Sequence, residues 1–178
     1  MSPIMTIPDD YLQHASGLIV PKHFEGASDD DVRNEKLKVT GNWVFDLFDE
    51  NGKLKDRREK KNLITTVGFQ LISDALFVQS SRPAVASYIA VGTDATAAAI
   101  GNTALGAESA RGLVSYSYAT KVATLTYTFA AGTATAALTE AGVLNAVTVG
   151  TLLNRVTYSV INKGALDTLA ATFTFTLS

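Results

Sequence analysis

Four carboxylates fall in the β-rich part of the chain, Asp94, Glu108, Glu140 and Asp167, accompanied by Arg155. Two carboxylates facing each other across a cleft, roughly 5–9.5 Å apart, would be the equipment of a glycoside hydrolase. Nothing in the spacing of these four puts two of them in one cleft. Their other chemistry is structural. A carboxylate in an otherwise uncharged sheet needs a guanidinium or several backbone N–H groups, because desolvation is expensive. Glu108, Glu140 and Arg155 are therefore read as internal ties, with Arg155 expected to pair with Glu108 or Glu140 at the end of a sandwich.

The remaining chemistry is sparse. Both histidines, His14 and His23, lie near the N-terminus, away from any framework that would hold a base beside a nucleophile. With Glu25 and Asp29 to Asp31 they match no zinc or EF-hand spacing. Gly92-Thr93-Asp94 lacks the Gly-Lys-Ser/Thr ending of a phosphate loop. There is no cysteine, hence no disulfide framework and no thiolate chemistry. The expectation is a protein without catalytic residues, metal or cofactor.

One charged segment stands out. Lys53, Lys55, Arg57, Arg58, Lys60 and Lys61, with Asp56 and Glu59, follow the turn signal Asp49-Glu50-Asn51-Gly52. No aromatic residue interleaves them, so no platform for stacking bases exists. They read either as a basic strand docking on an acidic partner surface or as a hairpin edge whose charges block edge-to-edge pairing.

These residues need strands to hold them. From Gly112 to Ser178 large apolar and small polar residues alternate, as in Leu125, Tyr127 and Phe129 against Thr124, Thr126 and Thr128. Period two sends successive side chains to opposite faces, giving each strand an apolar and a threonine face. Short strands between turn signals predict a mainly β, antiparallel, jelly-roll-like sandwich over residues 37–178. One helix is expected at residues 65–77, capped by Thr65 or Thr66, with Val67, Leu71, Ile72, Ala75 and Leu76 at helical spacing to cover a sheet face. Leu113 to Tyr118 reads as one strand, and Thr133 to Leu138 as another, followed by Thr139-Glu140-Ala141-Gly142 and Val143-Leu144. Residues 1–36 lack a sustained period but carry apolar knots. They read as an extended N-terminal arm whose anchors are Ile4, Ile7, Tyr11, Leu12, Leu18, Ile19, Val20 and Phe24.

The chain has 178 residues, 47% of them hydrophobic, enough for a real core. No 18-residue apolar span and no basic-then-apolar leader is present, so neither a membrane span nor a secretory signal is expected. A net charge of −2 argues against a dedicated nucleic-acid binder. Of 32 charged residues, 22 lie between Asp9 and Lys61 and only 5 beyond Arg111. A surface so poor in charge suggests a sheet covered by copies of itself or by a larger assembly.

The order of short signatures is itself informative: Asn62-Leu63-Ile64-Thr65 with Gly68, Tyr88-Ile89-Ala90-Val91-Gly92-Thr93, Ala104-Leu105-Gly106-Ala107-Glu108 with Arg111, Phe129-Ala130-Ala131-Gly132, Thr139-Glu140-Ala141-Gly142, Leu152-Leu153-Asn154-Arg155-Val156 and Lys163. Over residues 62–178 this resembles a family of small virion structural proteins of tailed bacteriophages. The resemblance implies a non-enzymatic β-sandwich on the particle, assembled in the bacterial host cytoplasm. The expected role is a capsid decoration protein, a homo-oligomer and by expectation a trimer, bound to the major capsid protein or another virion protein. A neck, head or tail fibre segment that binds the host surface is the alternative.

Overall fold

The computed structural model describes residues 38–178 and two three-residue strands, β1 (Tyr11–Gln13) and β2 (Ile19–Pro21). These two pair antiparallel, Tyr11 opposite Pro21, within a unit of their own, Met1–Leu37. Of the arm anchors, Tyr11, Leu12, Ile19 and Val20 fall in this hairpin. Ile4, Ile7, Leu18 and Phe24, with both histidines, lie outside the described residues.

The second unit, Lys38–Ser178, is an antiparallel sandwich of two five-stranded sheets. In chain order its elements are β3 (Val39–Phe48), β4 (Leu54–Lys61), β5 (Leu63–Ile64), α1 (Thr66–Phe77), β6 (Tyr88–Gly92), β7 (Glu108–Leu113), β8 (Ser115–Ala119), β9 (Val122–Phe129), β10 (Ala136–Leu144), β11 (Leu152–Lys163) and β12 (Thr168–Leu177). One sheet runs β5-β11-β10-β6-β7, the other β4-β3-β12-β9-β8.

Period-two patterning explains the second sheet. Trp43, Phe45 and Leu47 of β3 lie opposite Phe173, Ala171 and Leu169 of β12, which in turn face Leu125, Tyr127 and Phe129 of β9. They interlock with Ile89, Val91, Leu138, Val143, Val156 and Ile161 of the first sheet in one core. Trp43 stacks on Phe45 at 5.3 Å between ring centres and packs against Phe173 at 5.0 Å. Each such large apolar side chain stabilises the fold by ~1.5–3 kcal/mol. The threonines alternate outward: Thr172 faces Thr126 and Thr174 faces Thr124 across the same two strands.

The first sheet is buried on its second face too. Ala90, Leu105, Leu144 and Leu152 form a smaller cluster there, with Val67 of the helix against it. The alanine-rich segment after Asp94 therefore contributes to a core through Leu105, although it has little bulk elsewhere.

Three expectations change in detail. Leu113 to Tyr118 is not one strand: the chain crosses between sheets at Val114, ending β7 and starting β8. Gly112 permits this, since a Cβ there would stand 1.9 Å from the Tyr127 ring. Thr139 to Leu144 is no separate segment but the continuation of β10. The helix covers less than its pattern suggests. Leu71 is buried and Val67 and Ile72 half-buried, but Ala75, Leu76 and Phe77 point to solvent, Phe77 with 76% of its surface exposed.

Candidate functional site

The chemistry-bearing residues converge where β10 and β11 lie side by side. Glu140 sits mid-strand on β10 and Arg155 on β11, two positions apart in register and so on the same face, both buried. Arg155 Nε donates to Glu140 Oε2 at 2.8 Å, and Arg155 Nη2 lies 2.8 Å from the same oxygen. The other Glu140 oxygen accepts from the backbone N–H of Ala107 at 2.7 Å and of Asp94 at 3.3 Å, while Gly106 N donates to Oε2 at 2.9 Å. The outer edge of the guanidinium reaches Asp94 Oδ2 at 2.9 Å and Asn102 Oδ1 at 3.2 Å.

One carboxylate thus fastens three backbone amides of the β6–β7 connection to the sheet, and one guanidinium fastens two of its side chains. Such pairing is what makes a buried charge tolerable. Asp94 is held below the usual carboxylate range, first by hydrogen bonds from the Thr96 backbone and side chain and then by the Arg155 charge. Burial, and secondarily the Glu140 charge, push the Tyr158 hydroxyl upward; it donates to the Glu140 carbonyl at 3.1 Å. With both Glu140 oxygens occupied, this arrangement is suited to holding loops rather than moving protons.

The motif glycines serve the same frame. A Cβ on Gly92 would meet the Ala107 carbonyl at 2.4 Å and Glu140 Oε1 at 2.5 Å; one on Gly142 would meet the Asn154 carbonyl at 2.7 Å. Thr65 caps the helix by accepting from Gly68 N at 3.0 Å and donates its hydroxyl proton to the Leu152 carbonyl at 2.7 Å. Gly68 lies so close to β11 that a Cβ would stand 1.9 Å from the Leu153 carbonyl.

The structure brings together Glu140 and Arg155 but not Glu108. Glu108 instead pairs with Arg111, three residues on, at 2.6 Å. The same arginine donates to the carbonyls of Ala146 and Val149. Asp94 and Asn102 were missing from the expected tie; the signal was an acidic residue just beyond Gly92-Thr93 in a charge-free loop. A second tie was missed as well. Asp167 accepts from Lys55 Nζ at 2.7 and 2.8 Å and from Gly164 N at 2.8 Å, and the buried Lys163 donates to the carbonyls of Ala130 and Asp167. Burial lowers the proton affinity of Lys163, and the nearby Asp167 charge partly restores it. A shallow cleft of about 310 Å³ opens beside these groups.

The basic strand is β4, an edge of the second sheet. Lys55 is spent on Asp167, Arg57 approaches Asp46 at 3.4 Å and Glu59 at 3.2 Å, and Arg58 pairs with Asp56. Asp56, Arg58 and Lys60 lie opposite Leu47, Phe45 and Trp43, on the core-facing side. Lys53, Lys60 and Lys61 form no ion pair among the described residues. The strand is thus a charged edge of the kind that resists pairing with another sheet, and three of its five cations, Lys55, Arg57 and Arg58, are engaged within the domain.

Among the described residues no cluster of three or more acidic or histidine side chains is placed to hold a metal ion, and no helix is long and apolar enough to cross a membrane. Comparison with protein-family models, characterised proteins and solved structures returns no match for this chain.

Proposed function

We propose that this chain is a non-enzymatic structural protein of a tailed-phage virion, a homo-oligomeric capsid decoration protein that binds and stabilises the outer capsid surface. The observation that carries the proposal is the outer face of the second sheet. Across β12, β9 and β8 it presents threonines and serines in register, Thr174 beside Thr124 and Thr124 beside Ser117, with no charged side chain on those three strands. A free protein surface normally carries interspersed charges; one without them is suited to burial between copies or against a shell. The motifs that resemble the virion family support the same reading, because their residues build the Glu140–Arg155 frame. That frame gives mechanical definition to loops. A decoration protein would act in kind, adding buried area and bridging subunits so that the shell resists opening.

A fibre segment that reads a host glycan would favour aromatic residues at loop tips. Tyr158 is in the core, Tyr116 and Tyr118 are on a strand, and the exposed apolar residues of the β10–β11 loop are Val147 and Val149. Decoration is therefore preferred.

The test is to locate the protein on purified particles by labelling or cryo-EM, comparing the full chain with one lacking residues 1–36. Coverage of the whole capsid that disappears without those residues is the expected result. A few copies confined to the neck or tail would overturn decoration in favour of the fibre reading.

A further inference from the structure

The two sheets have four edges, and three of them are defended. β5 is only two residues long. β7 carries the Glu108–Arg111 pair, which Arg111 ties to the β10–β11 loop. β4 is lined with charges on both faces. Short length, charge and inward-pointing charge are the usual defences against edge pairing.

β8 has none of them. Its sequence is Ser-Tyr-Ser-Tyr-Ala, all five residues are exposed, and no charge, proline or bulge interrupts it. Tyr116 and Tyr118 lie on the core-facing side, opposite Leu125 and Ala123, yet 69% and 74% of their surfaces are open because the first sheet does not extend over them. Their rings stack on one another, 6.3 Å apart at 13°.

We infer that β8 pairs antiparallel with β8 of a second copy about a two-fold axis through Ser117, joining the two second sheets into one ten-stranded sheet. The strand is self-complementary in that register. Ser117 meets Ser117, Ser115 meets Ala119, and each Tyr116 lies across from the other copy's Tyr118, an aromatic cross-strand pair on one face. Charge favours this partner: β8 against β8 opposes no like charges, whereas β8 against β4 would desolvate lysines and β4 against β4 would set cation beside cation. Four tyrosines bury roughly 400–700 Å² at most, below the size of a tight interface. The pairing is accordingly weak in dilute solution and is strengthened when copies are already concentrated on one surface. It deepens the self-assembly element of the proposed function and rests on that element alone. Its symmetry is two-fold, not the expected three-fold.

The chain has no cysteine, so a single introduced thiol reports geometry cleanly. Paired Cα atoms across an antiparallel ladder lie about 4.5–5.5 Å apart, within the span of a disulfide. Under mild oxidation Ser117→Cys should cross-link to a dimer at least tenfold faster than Ser115→Cys, while a mixture of Ser115→Cys and Ala119→Cys should cross-link to each other. Sedimentation of the unmodified chain should show a monomer–dimer equilibrium, lost in Tyr118→Lys with its melting temperature unchanged. Equal cross-linking rates at the three positions, a monomer at every concentration or a trimer would overturn the inference. A stable oligomer without Ser117→Cys cross-links would overturn β8 pairing alone and leave self-assembly standing, and capsid occupancy is read independently of either.

Discussion

Arg155 and Glu140 lie on adjacent strands, two residues out of register, and their side chains meet at 2.8 Å with almost no exposed surface. The pair is the point at which the β6–β7 connection, otherwise short of bulk, is fixed to the first sheet. Removing the guanidinium would leave a buried carboxylate with only backbone amides for company. Arg155→Ala should destabilise the domain by about 3–5 kcal/mol, the usual consequence of orphaning a buried charge. Glu140→Gln should cost less, and the double variant less than the sum of the two singles. Denaturant titrations of the four proteins measure this coupling directly; an unchanged melting temperature for Arg155→Ala would refute it.

Acid should weaken the fold through two carboxylates. Asp94 and Asp167 both lie below their ordinary value of 3.8, Asp94 chiefly through hydrogen bonds from Thr96 and Asp167 chiefly through the hydrogen bond from Lys55. A group whose proton affinity is lower in the folded state favours folding when ionised. Its contribution is complete above the unfolded value and is lost as pH falls below 3.8 through the depressed folded value. Stability should be flat from neutrality down to about pH 5 and fall below pH 4. Asp167→Asn should reduce the steepness of that fall, measured by thermal melts across pH 2–7.

The glycines divide into two groups. Gly68→Ala forces a methyl against the Leu153 carbonyl and should destabilise by about 1–3 kcal/mol or more, as overpacking does. Gly101 has nothing within 4 Å of where a Cβ would sit. Gly101→Ala should be neutral or stabilising by up to about 1 kcal/mol, by restricting the unfolded chain. Chemical denaturation of the two variants side by side gives the comparison.

Trp43 is the single tryptophan, fully buried, and its indole N–H donates to Asn154 Oδ1 at 3.3 Å. Its emission should be blue-shifted in the native state and move to the red in one step on unfolding. Asn154→Ala leaves the indole N–H without its acceptor and should cost about 1–3 kcal/mol, read from the same fluorescence transition.

Much of the fold was visible in the alternation of Leu125, Tyr127 and Phe129 with threonine, because one face of that sheet is buried and the other is not. The first sheet was harder to read. Its strand β10 is buried along both faces from Glu140 to Leu144, so alternation is erased and Glu140 interrupts an apolar run. The helix was placed by periodicity and by the Thr65 cap, but periodicity cannot tell how much of an apolar stripe finds a partner, and Leu76 and Phe77 found none within the domain. Arg155 and Glu140 were legible as ties because lone charges in a charge-free sheet need each other. Glu108 was misassigned because its closer arginine, Arg111, shares its own strand, and Asp94 was missed because only tertiary folding brings it 61 residues along the chain to Arg155.

The strand β12 lies at the centre of its sheet, paired along its whole length with β3 on one side, from Thr168–Phe48 to Leu177–Val39, and with β9 on the other. Until that last strand exists, β3 and β9 have no neighbour to join them, and Trp43, Phe45 and Phe129 belong to no core. The domain therefore cannot mature progressively as the polypeptide emerges from the ribosome. Its earliest strands must wait for its latest, a topology that makes folding slow and leaves the half-made chain dependent on the charges of β4 to keep its exposed hairpin from associating.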